Sequence, residues 1–240
     1  MKLGLINLTI TAAAMLLARS SQALPTPIYN YPGILGPGDS VAVNAANNVA
    51  LYARTITAWV NIPVNNNLND DTLGQPIAVG GFSGNGDFFG VGGTGGENSG
   101  SQIPQYDLYI DHWGHPASAS TTGITPGQNT FVAMTYDGIG TVNFYINGVA
   151  AGFFSDSGSH VLYTDYLDTY TIGGNTIGGS TTNPTQDGYL SDVSIYDTAL
   201  TAQDIASLVP DEASPLTLLV SAAALTLGGL VLRKRAPQAA

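Results

Sequence analysis

Apolar and polar residues alternate with a period of two through much of the chain, and Gly-Gly, Asp-Gly and Asn-Gly steps cut the alternation into short runs. That is the pattern of strands joined by tight turns. Thr55–Ile62 places Ile56, Ala58, Val60 and Ile62 on one face and Thr57, Trp59 and Asn61 on the other. Phe131–Tyr136 is apolar on both sides, which predicts a central strand. Val142–Ile146 follows after Asp137-Gly138, and Asn147-Gly148 then fits a two-residue hairpin turn, because both positions of such a turn need positive φ. Phe88–Val91 and Tyr189–Ile195 read as further strands, the first inside a glycine-rich excursion over Gly80–Gly100. Thr201–Leu208 is the one helical stretch, with Thr201 as N-cap and Asp204 three residues on. Four prolines and three glycines make residues 24–40 an extended lead-in. The sum is an all-β chain, a two-sheet antiparallel β-sandwich with one short helix on its C-terminal side.

The two ends break this pattern. Residues 1–23 carry Lys2, an apolar run from Leu3 to Ala18 and the small-x-small step Ser21-Gln22-Ala23, the layout of a secretory signal peptide. Leu216–Leu232 has no charge and is followed at once by Arg233-Lys234-Arg235. Its length, roughly 25 Å as a helix, suffices for a transmembrane span, and the basic cluster should stay cytoplasmic. Residues 24–210 are thereby expected outside.

Composition narrows the function classes. The 240 residues include no cysteine, so disulfide and thiolate chemistry are excluded. The net charge is −11, and between Ala23 and Pro210 the single basic residue is Arg54. Nucleic-acid affinity rests on Lys and Arg displacing counterions, so a nucleic-acid partner is excluded.

Two resemblances follow from particular residues. Val209-Pro210-Asp211-Glu212-Ala213-Ser214, the apolar span and the terminal basic cluster resemble the PEP-CTERM sorting signals of Gram-negative bacteria, with Asp-Glu where Glu-Pro is usual. This implies an exosortase-like processing enzyme as partner, removal of the tail, and delivery to the cell surface or extracellular matrix. A plain membrane anchor without processing is the alternative. In the body, five ordered segments resemble the signature of a laminin-G-like, concanavalin A-like jelly roll over residues 41–208. They are Thr55–Val60, Phe131–Gly138, Phe144–Gly148, Tyr170–Gly174, and Asp187–Leu200 with the helix. Where that family commonly has a tryptophan and a histidine before the central strand, this chain has Gln128-Asn129-Thr130. The domain organisation expected is a signal peptide (1–23), the lead-in (24–40), the jelly roll (41–208) and the sorting signal (209–240) with its span at 216–232.

The family includes laminarinase-type glucanases, whose carboxylates share one strand. The nearest candidates are Asp107 and Asp111, on the same face of Tyr106–His112 but four residues apart, about 13 Å, against roughly 5.5–9.5 Å for working pairs. Glu97 and Glu212 are the chain's only glutamates, so a strand-borne Glu set is missing; the polar side of that strand reads as a solvated face. His112, His115 and His160 do not complete a zinc set. Calcium is the better metal candidate, as a structural ion. The resemblance places it at Asp192, which strict alternation puts on one side with Leu190 and Ser194, and carbonyls of Asp39–Asn44 could complete the shell.

Sugar rings present apolar C–H faces edged by hydroxyls, so a binding site needs exposed aromatic rings beside polar acceptors. Trp113, with Tyr109 and Asp111, is the candidate carbohydrate site. Trp59 matches the family's recurrent tryptophan and is read as a packing residue, with lining of the concave sheet as the alternative. The expected function is a secreted or surface-displayed, non-catalytic module that binds carbohydrate or another extracellular polymer. A structural matrix protein without sugar recognition and a divergent glycoside hydrolase are the alternatives.

Overall fold

The computed structural model describes residues 23–43, 52–64, 75–80, 87–92, 106–112, 118–155, 170–173 and 188–209. The expected signal peptide up to Gln22, the sorting signal from Pro210 and the 216–232 span lie outside them. Among the described residues no helix is long and apolar enough to cross a membrane.

Two six-stranded antiparallel sheets face each other among the described residues. The first has the order β1 (Tyr29–Leu35), β12 (Tyr189–Tyr196), β3 (Arg54–Asn61), β8 (Thr130–Tyr136), β9 (Thr141–Ile146), β10 (Val149–Ser155). The second runs β2 (Val41–Ala42), β11 (Thr171–Ile172), β4 (Gln75–Gly80), β5 (Asp87–Val91), β6 (Asp107–His112), β7 (Ser118–Gly123). The lead-in is extended and supplies the edge strand β1. A turn closed by Asp39 N–H to Gly36 O at 3.1 Å then carries the chain toward β2 in the other sheet. At the opposite edge Thr121 Oγ1 donates to Ala151 O at 2.9 Å, which ties β7 to β10.

The alternation read from sequence builds the core. Ile56, Ala58, Val60 and Ile62 meet Val132, Met134, Phe144 and Leu190 from the first sheet and Ile77, Phe89, Val91, Leu108 and Ile110 from the second, all buried. Every residue of β8 is buried, as expected of a central strand between β3 and β9. Its second face packs into a smaller cluster of Phe131, Ala133, Tyr145, Tyr196, Leu200 and Ile205. That cluster lies on the outside of the first sheet, beneath helix α1 (Ala202–Leu208).

Helix α1 starts as its sequence dictates. Thr201 Oγ1 accepts from Asp204 N–H, and Asp204 Oδ2 accepts from Thr201 N–H at 3.0 Å, a reciprocal capping box. Seven residues are too few to hold a helix alone, so α1 depends on Ile205 being fully buried and on the segment before it. Thr55 fixes that segment: its hydroxyl donates to Thr198 O at 2.7 Å and accepts from Leu200 N–H at 2.8 Å. The β9–β10 hairpin turns at Asn147 (φ 50°) and Gly148 (φ 77°), both positive as expected. A Cβ at Gly148 would lie 3.1 Å from Ala206 Cα, so glycine also lets the turn approach α1.

Candidate functional site

Strand β12 does not keep the strict alternation expected of it. Asp192 has φ 50°, and the register of β12 slips at this point against both neighbours, between Ser191 and Ser194 on the β3 side and opposite Tyr31 to Ile34 on the β1 side. The bulge resets the faces, as an extra residue must in a ladder of period two. Leu190, Val193 and Ile195 all enter the core, so Leu190 is not on Asp192's side. Asp192 is exposed, and Tyr31–Ile34 of β1 run alongside it; Asn44 of the Asp39–Asn44 stretch, whose carbonyls could complete a calcium shell, lies outside the described residues. Val41–Ala42 of that stretch belongs to the other sheet. Among the described residues no group of three or more His, Cys, Asp or Glu assembles. Asp192 therefore brings one carboxylate where calcium takes six to eight oxygens.

The Asp107–Asp111 strand is β6, and its ladder with β5 is unbroken from Leu108↔Val91 to His112↔Asp87. On the β7 side the register shifts between Asp107 and Tyr109 with the extra residues on β7, so the four-residue separation on β6 stays at about 13 Å of extended strand. Asp107 is 9% exposed, which corrects the reading of this face as solvated, and burial pushes its carboxyl above the ordinary range. Its Oδ1 lies 2.8 Å from where a Cβ of Gly123 would stand. Tyr109 is fully buried and so presents no ring to a ligand at the surface, which removes it from the expected carbohydrate site. Asp111 has its backbone on β6, opposite Phe88, and its side chain lies outside the described set. Trp113 lies outside the described residues altogether.

Among the described residues an exposed aromatic-and-polar surface lies on the outside of the first sheet. The cluster beneath helix α1 takes in β8, β9 and the Tyr196 end of β12, with Trp59 of β3 packed at its rim, while among the described residues the part of that face at Ile34 of β1 and Tyr189 of β12 is open. The pairings Ile34↔Ser191↔Trp59 and Tyr189↔Asn61 lay these side chains in two neighbouring rows, with Leu190 and Val60 of the same strands turned inward. Tyr189 is 54% exposed and Ile34 72%, while Trp59, Asn61 and Ser191 are half-buried. Tyr189 and Trp59 are diagonal neighbours, about 7–8 Å apart at Cα, close enough for one ligand to touch both rings. Trp59 also meets Phe131 edge to face at 5.6 Å. That contact gives it the packing role expected of it, and the side chain stays half-buried at the rim of the cluster beneath α1. Asp192 projects beside Ser191 at the bulge. The exposed amides of Gln128 and Asn129 run next to Asn61, where Gly127 N–H donates to Ile62 O at 2.6 Å. The sequence marked this stretch only as a departure from its family. Strict alternation puts Tyr189 in phase with Val193 and Ile195, so nothing in the sequence marked it as facing outward; the bulge at Asp192 turns it there.

The segment Leu35 to Ala206 matches the sequence family described as the concanavalin A-like lectin/glucanases superfamily. Among solved structures, the chain resembles the CBM40 module of the Ruminococcus gnavus IT-sialidase, bound to α2,3-sialyllactose. The TM-score is 0.56 and the identity 12%, covering 77% of this chain and 99% of that one. A candidate carbohydrate-binding protein from Bacteroides ovatus gives a TM-score of 0.51 at 19% identity, covering 77% of this chain and 48% of that one. A heptameric SAP-like pentraxin from Limulus polyphemus gives 0.49 at 16%, covering 80% and 79%. No curated protein matches the chain in sequence. At such identities the structural likeness speaks for the fold alone, whereas the family match spans well over half of the sequence. The chain belongs to the concanavalin A-like lectin/glucanases superfamily.

Proposed function

We propose that the protein is a non-catalytic carbohydrate-binding module, displayed outside the cell, that holds glycan on the open part of its first sheet. The observation that carries this reading is the pair Tyr189 and Trp59 set beside Asn61, Ser191 and Asp192 on a rigid sheet. Aromatic rings there can cover the apolar face of a pyranose while amide, hydroxyl and carboxylate groups meet its edge hydroxyls. The fold supports it, since the R. gnavus and B. ovatus relatives in structure are a carbohydrate-binding module and a candidate carbohydrate-binding protein. Against hydrolysis stands the spacing on β6, where Asp107 and Asp111 are four residues of strand apart, about 13 Å, beyond either glycosidase geometry.

Export, exosortase-type processing and surface display form part of the same proposal and rest on the sequences of the two ends. Structural calcium at Asp192 is a separate one. A single carboxylate completed by carbonyl and water oxygens makes a low-charge site of the millimolar class. A chelator that lowers the Tm supports it, and an unchanged melting curve counts against it.

A glycan array probed with the labelled protein tests the main reading. Binding that Tyr189→Ala abolishes, with the melting temperature kept, places recognition on this face. Binding lost in Trp113→Ala but not in Tyr189→Ala moves it to the segment after β6. A silent array together with self-association of the protein favours the structural-matrix alternative.

A further inference from the structure

We infer that the Tyr189–Trp59 face takes uncharged glycans and rejects acidic ones. The inference rests on the carbohydrate-binding reading and adds the chemical class of the ligand. Carboxylated and sulfated sugars are recognised through charge-assisted hydrogen bonds, above all from arginine, whose planar fork matches a carboxylate. Between Ala23 and Pro210 this chain has one Lys or Arg, and that is Arg54. Arg54 is fully buried: its guanidinium lies over the Tyr136 ring, 5.0 Å from the centroid, and Nη1 donates to Tyr52 O at 3.2 Å. It occupies the same inward phase of β3 as Ile56 and Ala58, which turns it away from the open face.

The charge that this face does carry is negative. Asp192 stands exposed at the bulge beside Ser191. Beyond the end of β1, the Asp39 carboxylate accepts from Gly36 N–H at 3.0 Å, and Gly36 in turn lies against the Tyr189 ring. An acidic sugar brought over Tyr189 meets like charge with no described cation to offset it, and such juxtaposition costs affinity and slows encounter. A neutral sugar meets no such penalty, and its hydroxyls are the right donors for the Asp192 carboxylate. The CBM40 module that shares this fold holds a sialylated ligand, so the fold does not decide the charge class; the residues on the sheet do.

The test uses affinity electrophoresis of the protein recovered from cells. It is run through gels holding neutral polysaccharides (xylan, galactomannan, β-glucan) and acidic ones (polygalacturonate, alginate, hyaluronan), at about 50 and 300 mM salt. Expected is retardation by at least one neutral polymer, almost unchanged by salt because no ion pairs are formed, and weakened about tenfold or more in Tyr189→Ala. Retardation by none of the acidic polymers is expected for the natural chain, and Asp192→Arg should introduce it. Stronger retardation by an acidic polymer than by any neutral one would overturn the charge assignment and leave the carbohydrate-binding reading standing. Neutral retardation that Tyr189→Ala leaves intact overturns the assignment to this face. Retardation by no polymer in either set overturns both.

Discussion

Asp137 shows how one side chain can organise a turn without being buried. Its Oδ1 accepts from the backbone N–H of Ile139, Gly140 and Thr141, each at 2.9 Å. Partial burial opposes the charge, but these amides outweigh it and hold the carboxyl below the ordinary aspartate range. The depressed value means that the unfolded chain binds the proton more readily than the folded one. The stabilisation is therefore complete above the unfolded value near 3.9 and disappears as pH falls through the lower folded value. Asp137→Asn, which keeps an oxygen acceptor but no charge, should be less stable than the natural chain by about 1 kcal/mol at pH 7. That gap should close toward pH 2 in denaturant titrations at several pH values; a pH-independent gap would refute the charge argument. Asp107 titrates with the opposite sign, its raised value favouring the folded state in acid, but it is common to both proteins and cancels from the comparison. The Asp-Gly step at 137–138 was legible as a turn from sequence, whereas the three amides converging on one oxygen depend on the loop's path and were not.

At the scale of elements, strands with a clear period-two alternation or a short apolar run between turn residues were legible, and strands of small or mixed residues were not. Strands β3, β8, β9 and β12, the Asn147-Gly148 hairpin and the capped helix all follow from local pattern, because side-chain period and turn chemistry act within a few residues. The edge strands β7 and β10 gave no such signal: SASTTG and VAAGFFS hold small or mixed residues whose placement is decided by the strand alongside. The bulge at Asp192 was equally hidden, since nothing in DGYLSDVSIY marks where the alternation resets. It is this bulge that brings Leu190 into the core and leaves Tyr189 and Ser191 outside. The β7–β10 closure can be tested at Gly152, whose φ is 141° and whose added Cβ would stand 2.8 Å from Thr121 N and 3.2 Å from Ser120 Cα. Those atoms are backbone and cannot move aside as a flexible side chain would. Gly152→Ala should cost roughly 2–3 kcal/mol, read as a shift in denaturant midpoint, through combined crowding and strained φ. A loss under about 0.5 kcal/mol would mean that the two edges are not held together there.

For the whole molecule, the sandwich divides the outside of its first sheet between two tasks. One part is covered by α1, which is held by the Thr55 hydroxyl and the buried Ile205, and the chain leaves it at Val209 beside the β9–β10 turn. The other part displays Tyr189 and its polar neighbours, with Trp59 at the rim. If the two ends act as export and sorting signals, the protein recovered from the cell surface should begin at or near Leu24 and lack the 216–232 span. Intact-mass measurement of that material, compared with material from cells lacking the processing enzyme, reads both ends at once. A mass that retains the span but lacks the leader would leave a permanent anchor. A mass that retains both ends would remove the basis for surface display, and with it the access to extracellular glycan on which the binding function depends.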